Sequence, residues 1–117
     1  MTGSSNISES ALQAMCFQWH WNTYPNERGL LHANNNNSEN AIKGSLNKAI
    51  GVVQGVADME YNINGRTVFI EMKTVNGTQS KAQKAFQSVV VSHGFSYHIV
   101  RSFEEFKTLI NHYQNVL

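Results

Sequence analysis

Two carboxylates and a lysine near the middle of the chain have the residue types and spacing of a hydrolytic metal site. Asp58 precedes a Glu-x-Lys segment formed by Glu71 and Lys73. Carboxylate oxygens are hard ligands of the kind that Mg²⁺ prefers. A divalent ion on Asp58, Glu71 and the backbone carbonyl of Met72 could hold a water and polarise a phosphate. Lys73 could orient or deprotonate that water, or pair with charge that develops on the phosphoryl oxygens.

A β-hairpin is predicted to bring these residues together. Segments 56–63 and 66–74 flank Asn64-Gly65, a dipeptide typical of a two-residue type I′ turn. With these two residues as the turn, Asp58 should face Glu71, with Cβ atoms about 4.5–5.5 Å apart. The same register places a set of apolar or small side chains on the other, buried face. This set is Ala57, Met59, Tyr61, Val68, Ile70 and Met72.

Like charges that face each other on a sheet repel, so the pair Asp58 and Glu71 needs an explanation. Either one carboxyl holds a proton, with a raised pKa, or a cation lies between the two. Lys73 supplies one positive charge about 7 Å along the strand, and a divalent ion would supply two. The alternative is a pair of surface carboxylates on a solvated sheet face, with Lys73 as a simple salt-bridge partner.

The whole chain predicts one α/β domain in which a mixed β-sheet is flanked by helices. The elements are expected in the order α-β-α-β-β-α-β-α. Besides the hairpin, they are a helix over 8–22, a strand over 28–33, a helix from 38 or 39 to about 50, a helix over 80–93, a strand over 95–100 and a helix over 102–113.

Capping residues and apolar spacing define several of these helices. Ser80 with Gln83, and Ser102 with Glu105, match the capping box. Gly94 matches the glycine that commonly follows the end of a helix. The first helix has apolar residues at i, i+3, i+4 and i+7, which predict one buried stripe. They are Leu12, Met15, Cys16 and Trp19.

Composition limits the function classes. The chain has 117 residues, nine Lys or Arg and eight Asp or Glu, so a formal charge of +1 provides no strong basic field for nucleic acid. We expect one domain over 8–117 after a flexible segment 1–7. The single cysteine, Cys16, excludes an internal disulfide and suits a reducing cytosol. Without a secretory signal or a membrane-spanning run, a cytoplasmic protein is expected.

Several short motifs, in this order, resemble the virus-type replication-repair nuclease (VRR-NUC) domain, a branch of the PD-(D/E)xK nuclease superfamily. They are Gly55-Val56-Ala57-Asp58, the Asn-Gly hairpin, Phe69-Ile70-Glu71-Met72-Lys73-Thr74, Gly77, Ser80-x-x-Gln83, Gly94-Phe95, and Arg101-Ser102 with Glu104-Glu105. The resemblance runs from Glu9 to about Tyr113. It implies a restriction-endonuclease-like core and a nuclease that uses Mg²⁺ or Mn²⁺ to cut DNA. The usual Gly-Val-Pro-Asp has alanine at Ala57, which can adopt the extended backbone that proline enforces.

The resemblance also implies roles for individual residues. The metal ligands would be Glu9, Asp58, Glu71 and, as argued above, the backbone carbonyl of Met72. The catalytic residues would be Asp58, Glu71, Lys73 and Gln83. The resemblance places an asparagine near the site in the region of Asn34 and Asn35, which are candidate DNA contacts. Apart from the resemblance, the charge of five basic residues makes them candidate phosphate contacts, namely Lys43, Lys48, Lys81, Lys84 and Arg101. The alternatives are that the asparagines form only a loop and that the basic side chains belong to a solvated face. Alternatively, Gln83 serves only as a capping residue, and Glu9 only favours the first helix through its dipole.

Stand-alone members of this family in phages and bacteria are similar to Holliday-junction resolvases, which act as dimers. Phe17, Trp21 and Tyr24 lie away from the apolar stripe of the first helix and predict a partner surface, interpreted as a homodimer seam. We therefore expect a homodimeric endonuclease that acts on branched DNA. The alternatives are a non-catalytic DNA-binding or adaptor module that retains the fold, and a restriction-type or defence nuclease that cuts specific sequences.

Overall fold

A computed structural model describes residues 7–34 and 41–117, and its elements follow the predicted order. The helices are α1 (Glu9–Thr23), α2 (Ala41–Ala49), α3 (Lys81–Ser92) and α4 (Phe103–Gln114). The strands are β1 (Leu31–Ala33), β2 (Met59–Ile63), β3 (Arg66–Met72) and β4 (Ser96–Val100). The flexible segment expected over 1–7 lies outside the described residues except for Ile7, as does the expected start of the second helix at 38 or 39.

The four strands form one mixed sheet in the order β1-β2-β3-β4. The β1–β2 and β2–β3 pairs are antiparallel, and β3 and β4 are parallel, with α3 in the connection between them. This arrangement confirms the predicted fold class. No helix in the described ranges is long and apolar enough to cross a membrane.

The first strand is shorter than predicted. Instead of a strand over 28–33, the chain forms a 3₁₀ turn over Pro25–Glu27, and only Leu31–Ala33 pairs with β2. Gly29 adopts a φ of +97°, which lies outside the extended region. The prediction was wrong at this end because Leu30 N donates to the Glu27 carbonyl at 3.0 Å and Gly29 has a positive φ, so the chain turns at residues 28–30 before the strand begins.

The central hairpin has the predicted register and turn. Met59 pairs with Ile70, and Tyr61 pairs with Val68. Asn64 and Gly65 have φ angles of +52° and +76°, as a type I′ turn requires at both positions. The Asn64 amide also donates to the carbonyls of Tyr113 at 3.2 Å and Val116 at 3.0 Å, so the turn holds the end of α4.

One face of the sheet forms the apolar core with α1 and α4. All six side chains assigned to the buried face of the hairpin are fully buried, as predicted. On α1 the buried side chains are Leu12, Cys16 and His20, whereas Met15 is 42% exposed. The predicted stripe was therefore wrong at Met15. The helix instead turns His20, eight positions after Leu12, toward the core.

On the other face of the sheet, α3 covers the region of β3 around Glu71. Phe69 of β3 packs edge-on against Phe86 of α3, with ring centroids 5.3 Å apart, and against Phe95 at 5.9 Å. Under this cover the side chain of Glu71 has no exposed surface and Lys73 is 6% exposed. The alternative of surface carboxylates on a solvated sheet is therefore wrong.

The two predicted capping boxes differ in the structure. In α3, Ser80 Oγ accepts from Gln83 N at 3.1 Å, and Gln83 Oε1 accepts from Ser80 N at 2.8 Å, which completes the box. In α4, Ser102 Oγ accepts from Glu105 N at 3.1 Å. The Glu105 carboxylate accepts instead from Arg101 N at 2.6 Å, so this box is displaced by one residue.

A buried polar network joins α1, β2 and α4 through Glu27. Its Oε1 lies 2.9 Å from His20 Nε2 and accepts from the Tyr61 hydroxyl at 2.5 Å, while Oε2 accepts from Gln114 at 3.0 Å. Burial alone raises the pKa of Glu27, but the hydrogen bonds from Tyr61, His20 and Gln114 outweigh burial and hold this pKa below its ordinary value. The carboxylate is therefore stabilised in its charged form.

Replacement Glu27→Gln is expected to lower the free energy of unfolding by about 1–3 kcal/mol at pH 7, because hydrogen bonds to a charged group are lost. Since the folded-state pKa of Glu27 is depressed, its stabilisation is present above the ordinary pKa and is lost as pH falls through the folded value. Denaturant unfolding at a series of pH values should show that the difference in free energy of unfolding between the variant and the wild type decreases as the pH is lowered. Glu104→Gln, on an exposed i,i+3 pair with Lys107, is the matched control and should have little effect. A difference that does not change with pH would contradict the role of the charge.

Candidate metal and catalytic site

Glu71 lies at the centre of the candidate site, with its two carboxylate oxygens in different environments. Oε1 accepts hydrogen bonds from the Tyr97 hydroxyl and, at 3.0 Å, from Gln79 Nε2. Oε2 is buried, has no hydrogen-bond partner among the described residues, and lies 3.4 Å from Lys73 Nζ. Burial, together with the Glu71 carboxylate, raises the pKa of Tyr97, which keeps this hydroxyl a donor. One oxygen is thus held in place and the other is left for a further ligand.

Asp58, the residue just before β2, lies at the same site. The β2–β3 ladder ends at Met59 and Ile70, so Asp58 is not ladder-paired with Glu71 as the register had predicted. Its Oδ2 instead accepts a hydrogen bond from Met72 N at 2.6 Å. Burial raises the pKa of Asp58, and the nearby carboxylates of Glu71 and Glu9 raise it further. The hydrogen bond from Met72 N and the charge of Lys73 lower this pKa, but the net effect is a raised pKa, so the charged form is less favourable here than in water.

The backbone that carries Asp58 is fixed by two neighbours. A Cβ on Gly55, whose φ is +82°, would lie 2.3 Å from the carbonyl oxygen of Ala82, so only glycine allows this segment to touch α3. On the other side, Asn34 Nδ2 donates to the Ala57 carbonyl at 3.0 Å, and Asn34 N donates to the Asp58 carbonyl at 2.8 Å. These contacts hold the segment of Asp58 although position 57 is alanine and not proline.

Lys73 is held beside Glu71 by the loop that follows β3. Its backbone N–H donates to Val100 at 3.0 Å, which extends the parallel ladder. A Cβ on Gly77 would lie 2.9 Å from Thr74 Oγ1 and 3.4 Å from Lys73 Cδ, so glycine leaves room for the lysine stem. Arg101 was a candidate phosphate contact, but its guanidinium donates to the carbonyls of Thr74 and Gly77, both at 2.8 Å. Arg101 therefore shapes this loop.

A divalent cation fits the donors that the structure brings together. Glu71 Oε2 is a hard oxygen that has an ion pair with Lys73 but no hydrogen bond among the described residues, and the Glu71 carboxylate raises the pKa of nearby Asp58. Asp58, Glu71 and the Met72 carbonyl would hold the ion. The described residues contain no group of three His, Cys, Asp or Glu side chains that could bind a metal, so Glu9 does not complete a carboxylate triad here. Its role as a ligand stays a prediction.

A cleft of about 870 Å³ opens beside Asp58. Glu9, Asn34 and Gln83, which were predicted from separate parts of the sequence, line it together with Asp58. The capping bond of Gln83 engages Oε1 and not Nε2, so capping and a position in the cleft are compatible. Three lysines that were candidate DNA contacts are exposed but do not line the cleft: Lys48, Lys81 and Lys84. Asn35 and the side chain of Lys43 lie outside the described residues.

Sequence reasoning missed two residues that position Glu71. Tyr97 lies on β4, and Gln79 precedes α3 and also donates to Gln87 at 2.7 Å. The parallel pairing of Phe69 with Tyr97 puts Tyr97 on the same sheet face as Glu71. The period of two within each strand was visible in the sequence, but the partner and register of β4 were not.

Comparisons with known proteins support the fold. No family model matches this chain, and no curated protein matches it. A solved structure described as a VRR_NUC domain protein is similar over 97% of this chain and 90% of that chain, with 20% sequence identity and a TM-score of 0.75. At this level of identity the similarity shows a shared fold. It confirms, for the fold, the resemblance to the VRR-NUC domain.

Replacement Asp58→Asn is expected to raise Tm at neutral pH in EDTA, because it removes a buried charge and keeps an oxygen for Met72 N. Added Mn²⁺ should raise the Tm of the wild type and not that of the variant, because a ligand that binds the folded state raises Tm. Thermal unfolding with and without Mn²⁺ measures this difference. Glu60→Gln, a half-buried carboxylate on β2 paired with Phe69, is the control and should retain the Mn²⁺ response. Equal Mn²⁺ stabilisation of the wild type and the Asp58 variant would contradict the site.

Replacement Tyr97→Phe is expected to weaken Mn²⁺ binding, because Glu71 Oε1 loses one of its two side-chain donors. Partners that orient metal ligands typically contribute about 10–100-fold in affinity. Calorimetric titration of Mn²⁺ measures this effect without any substrate. Tyr24→Phe removes a tyrosine hydroxyl from the region beside Trp19 and should leave the affinity unchanged. Unchanged affinity in the Tyr97 variant would show that its hydroxyl does not position the ligand.

Proposed function

We propose that this chain is a metal-dependent endonuclease that hydrolyses phosphodiester bonds in DNA, with Mg²⁺ or Mn²⁺ as its cofactor. The observation that carries the proposal is the asymmetric carboxylate of Glu71. One oxygen is held by Tyr97 and Gln79, and the other is buried without a hydrogen bond, in an ion pair with Lys73 and near Asp58. The fold shared with a protein described as a VRR_NUC domain protein supports the same reaction class.

The residues of the site divide the work of hydrolysis between them. Asp58 and Glu71, with the Met72 carbonyl, would hold the cation, which when bound supplies an activated water and neutralises charge on the phosphate. Lys73 Nζ, 3.4 Å from Glu71 Oε2, can donate to the attacking water or to a phosphoryl oxygen as negative charge develops there. Its low exposure strengthens this interaction, because little solvent screens it.

Gln83 and Asn34 border the space in which the substrate phosphate would lie. Both line the cleft beside Asp58. The amide nitrogen of Gln83 is a donor in the first turn of α3, where backbone N–H groups favour anions. The amide nitrogen of Asn34 is used on the Ala57 carbonyl, so Asn34 acts chiefly by positioning Asp58.

The substrate we favour is branched DNA, cut by a homodimer in the cytoplasm of a bacterial or phage-infected cell. This follows the resolvase-like proteins that the sequence motifs resemble. Two-fold symmetry would give two active sites that place paired cuts on a symmetric junction. The formal charge of +1 favours recognition of DNA shape at close range over long-range attraction.

The test is cleavage of a labelled four-way junction against a linear duplex of the same sequence, with Mg²⁺, Mn²⁺ or EDTA. We expect paired cuts on the junction with metal and none in EDTA. Asp58→Asn, Glu71→Gln and Lys73→Met should each reduce the rate by about 10²-fold or more, because each removes a group that acts in the transition state. Glutamine at position 71 keeps the volume and an acceptor for Tyr97, which alanine would not.

Glu60→Gln, outside the site on the same hairpin, is the matched control and should cut like the wild type. Full activity in EDTA or in the Asp58 variant would overturn the metal mechanism. Binding of the junction without cleavage under every metal condition would favour the non-catalytic DNA-binding module. Site-specific cutting of the linear duplex would favour the restriction-type alternative.

A further inference from the structure

We propose that Phe17, Trp21 and Arg28 form a stacking shelf that binds an unpaired base of a single DNA strand leading away from the candidate site. That the substrate is DNA rests on the proposed function. The shelf adds which part of the DNA the cleft would recognise, namely an unpaired base. Phe17 and Trp21 line the same cleft as Asp58 and Gln83, and Arg28 packs on the Trp21 ring beside it.

Two aromatic rings on α1 provide the surface of the shelf. Phe17 and Trp21 are one helical turn apart, and their ring centroids lie 5.8 Å apart at an interplanar angle of 31°. Both side chains line the cleft, and Trp21 is 41% exposed. Trp19, by contrast, packs edge-on against Phe103 and Phe106 next to the core. The exposure of Trp21 is therefore a feature of this position and not of the helix as a whole.

Arg28 adds a cation to the shelf and fixes its geometry. Its Cζ lies 4.8 Å from the centroid of the Trp21 ring, and its Nε donates to the Trp21 carbonyl at 3.0 Å. This bond engages Nε and not the two terminal nitrogens of the guanidinium. Exposed aromatic rings beside an arginine are the combination with which proteins bind single strands, since bases stack on the rings and the cation meets a phosphate.

Single-stranded DNA fits this shelf better than duplex DNA. In a duplex both faces of a base are covered by its neighbours, so only an unpaired base can offer a face to Trp21. Glu9 and Trp21 are twelve positions apart on α1, which corresponds to about 18 Å, or roughly five stacked nucleotides. The described residues that line the cleft itself include no lysine or arginine, and Arg28 lies beside it on Trp21, so stacking must supply much of the affinity.

A second copy of this chain is a poorer fit for these aromatic residues. The seam expected from the sequence included Tyr24, but this ring packs edge-on against Trp19 at 5.6 Å and lies against the core. Two of the three residues predicted for the seam, Phe17 and Trp21, therefore line the cleft, and the homodimer itself stays a prediction.

The test measures binding of a labelled single-stranded 12-mer and of the matching 12-base-pair duplex by fluorescence anisotropy in EDTA, so that binding is separate from cleavage. Trp21→Ala should weaken binding of the single strand by about 5- to 100-fold, which corresponds to the loss of one stacked base. Duplex binding should change by less than about twofold. Trp21→Phe should retain most of the affinity, because a ring remains.

Met15→Ala is the matched control, because Met15 is 42% exposed on the same helix and does not line the cleft. Equal losses for single strand and duplex in the Trp21→Ala variant, or no binding of the single strand by the wild type, would overturn the shelf. So would a variant that changes the oligomeric state in sedimentation and leaves DNA affinity intact. Selective binding through Trp21 without cleavage under any metal would support the shelf while refuting the nuclease.

Discussion

Burial of the Glu71 carboxylate is the constraint on which the rest of the site depends. A charged group without exposed surface costs several kcal/mol unless partners compensate for the lost water. Here the partners come from three parts of the chain: Tyr97 from β4, Gln79 from the segment before α3, and Lys73 from the position just after β3. The parallel pairing of β3 with β4 and the packing of α3 therefore supply the partners of the buried Glu71 carboxylate as well as apolar contacts.

The loops around Glu71 are fixed by backbone contacts and not by large side chains. Gly55 allows the segment before Asp58 to touch α3, and Gly77 makes room for Lys73. Asn34 and Arg101 then bind carbonyl groups of these segments, so that polar side chains far apart in the sequence hold the two site loops. Contacts of this kind, which hold the loops and not a ligand, matter because catalytic groups must be held within a fraction of an ångström of their productive positions.

The two faces of the sheet have separate roles. The face toward α1 and α4 carries the apolar core and the Glu27 network, which stabilise the domain. The face toward α3 carries Asp58, whose pKa is raised, and the Glu71 oxygen that has no hydrogen bond. The loss of stability caused by these groups can be compensated by the contacts on the opposite face. The cleft beside Asp58 continues along α1, so one helix contributes both to the core and to the cleft.

The sequence by itself determined the features that depend on neighbours in the chain. The Asn64-Gly65 turn set the hairpin register, Ser80 and Gln83 formed their capping box, and the resemblance to the VRR-NUC domain anticipated the fold. Only the tertiary structure showed that Glu71 is fully buried, that Asp58 binds Met72 N, and that Arg101 holds a loop. The metal and catalytic roles remain predictions. The physical reason for this division is range: turns and caps are set by residues a few positions apart, whereas burial and hydrogen-bond partners depend on how β4 and α3 pack against distant segments.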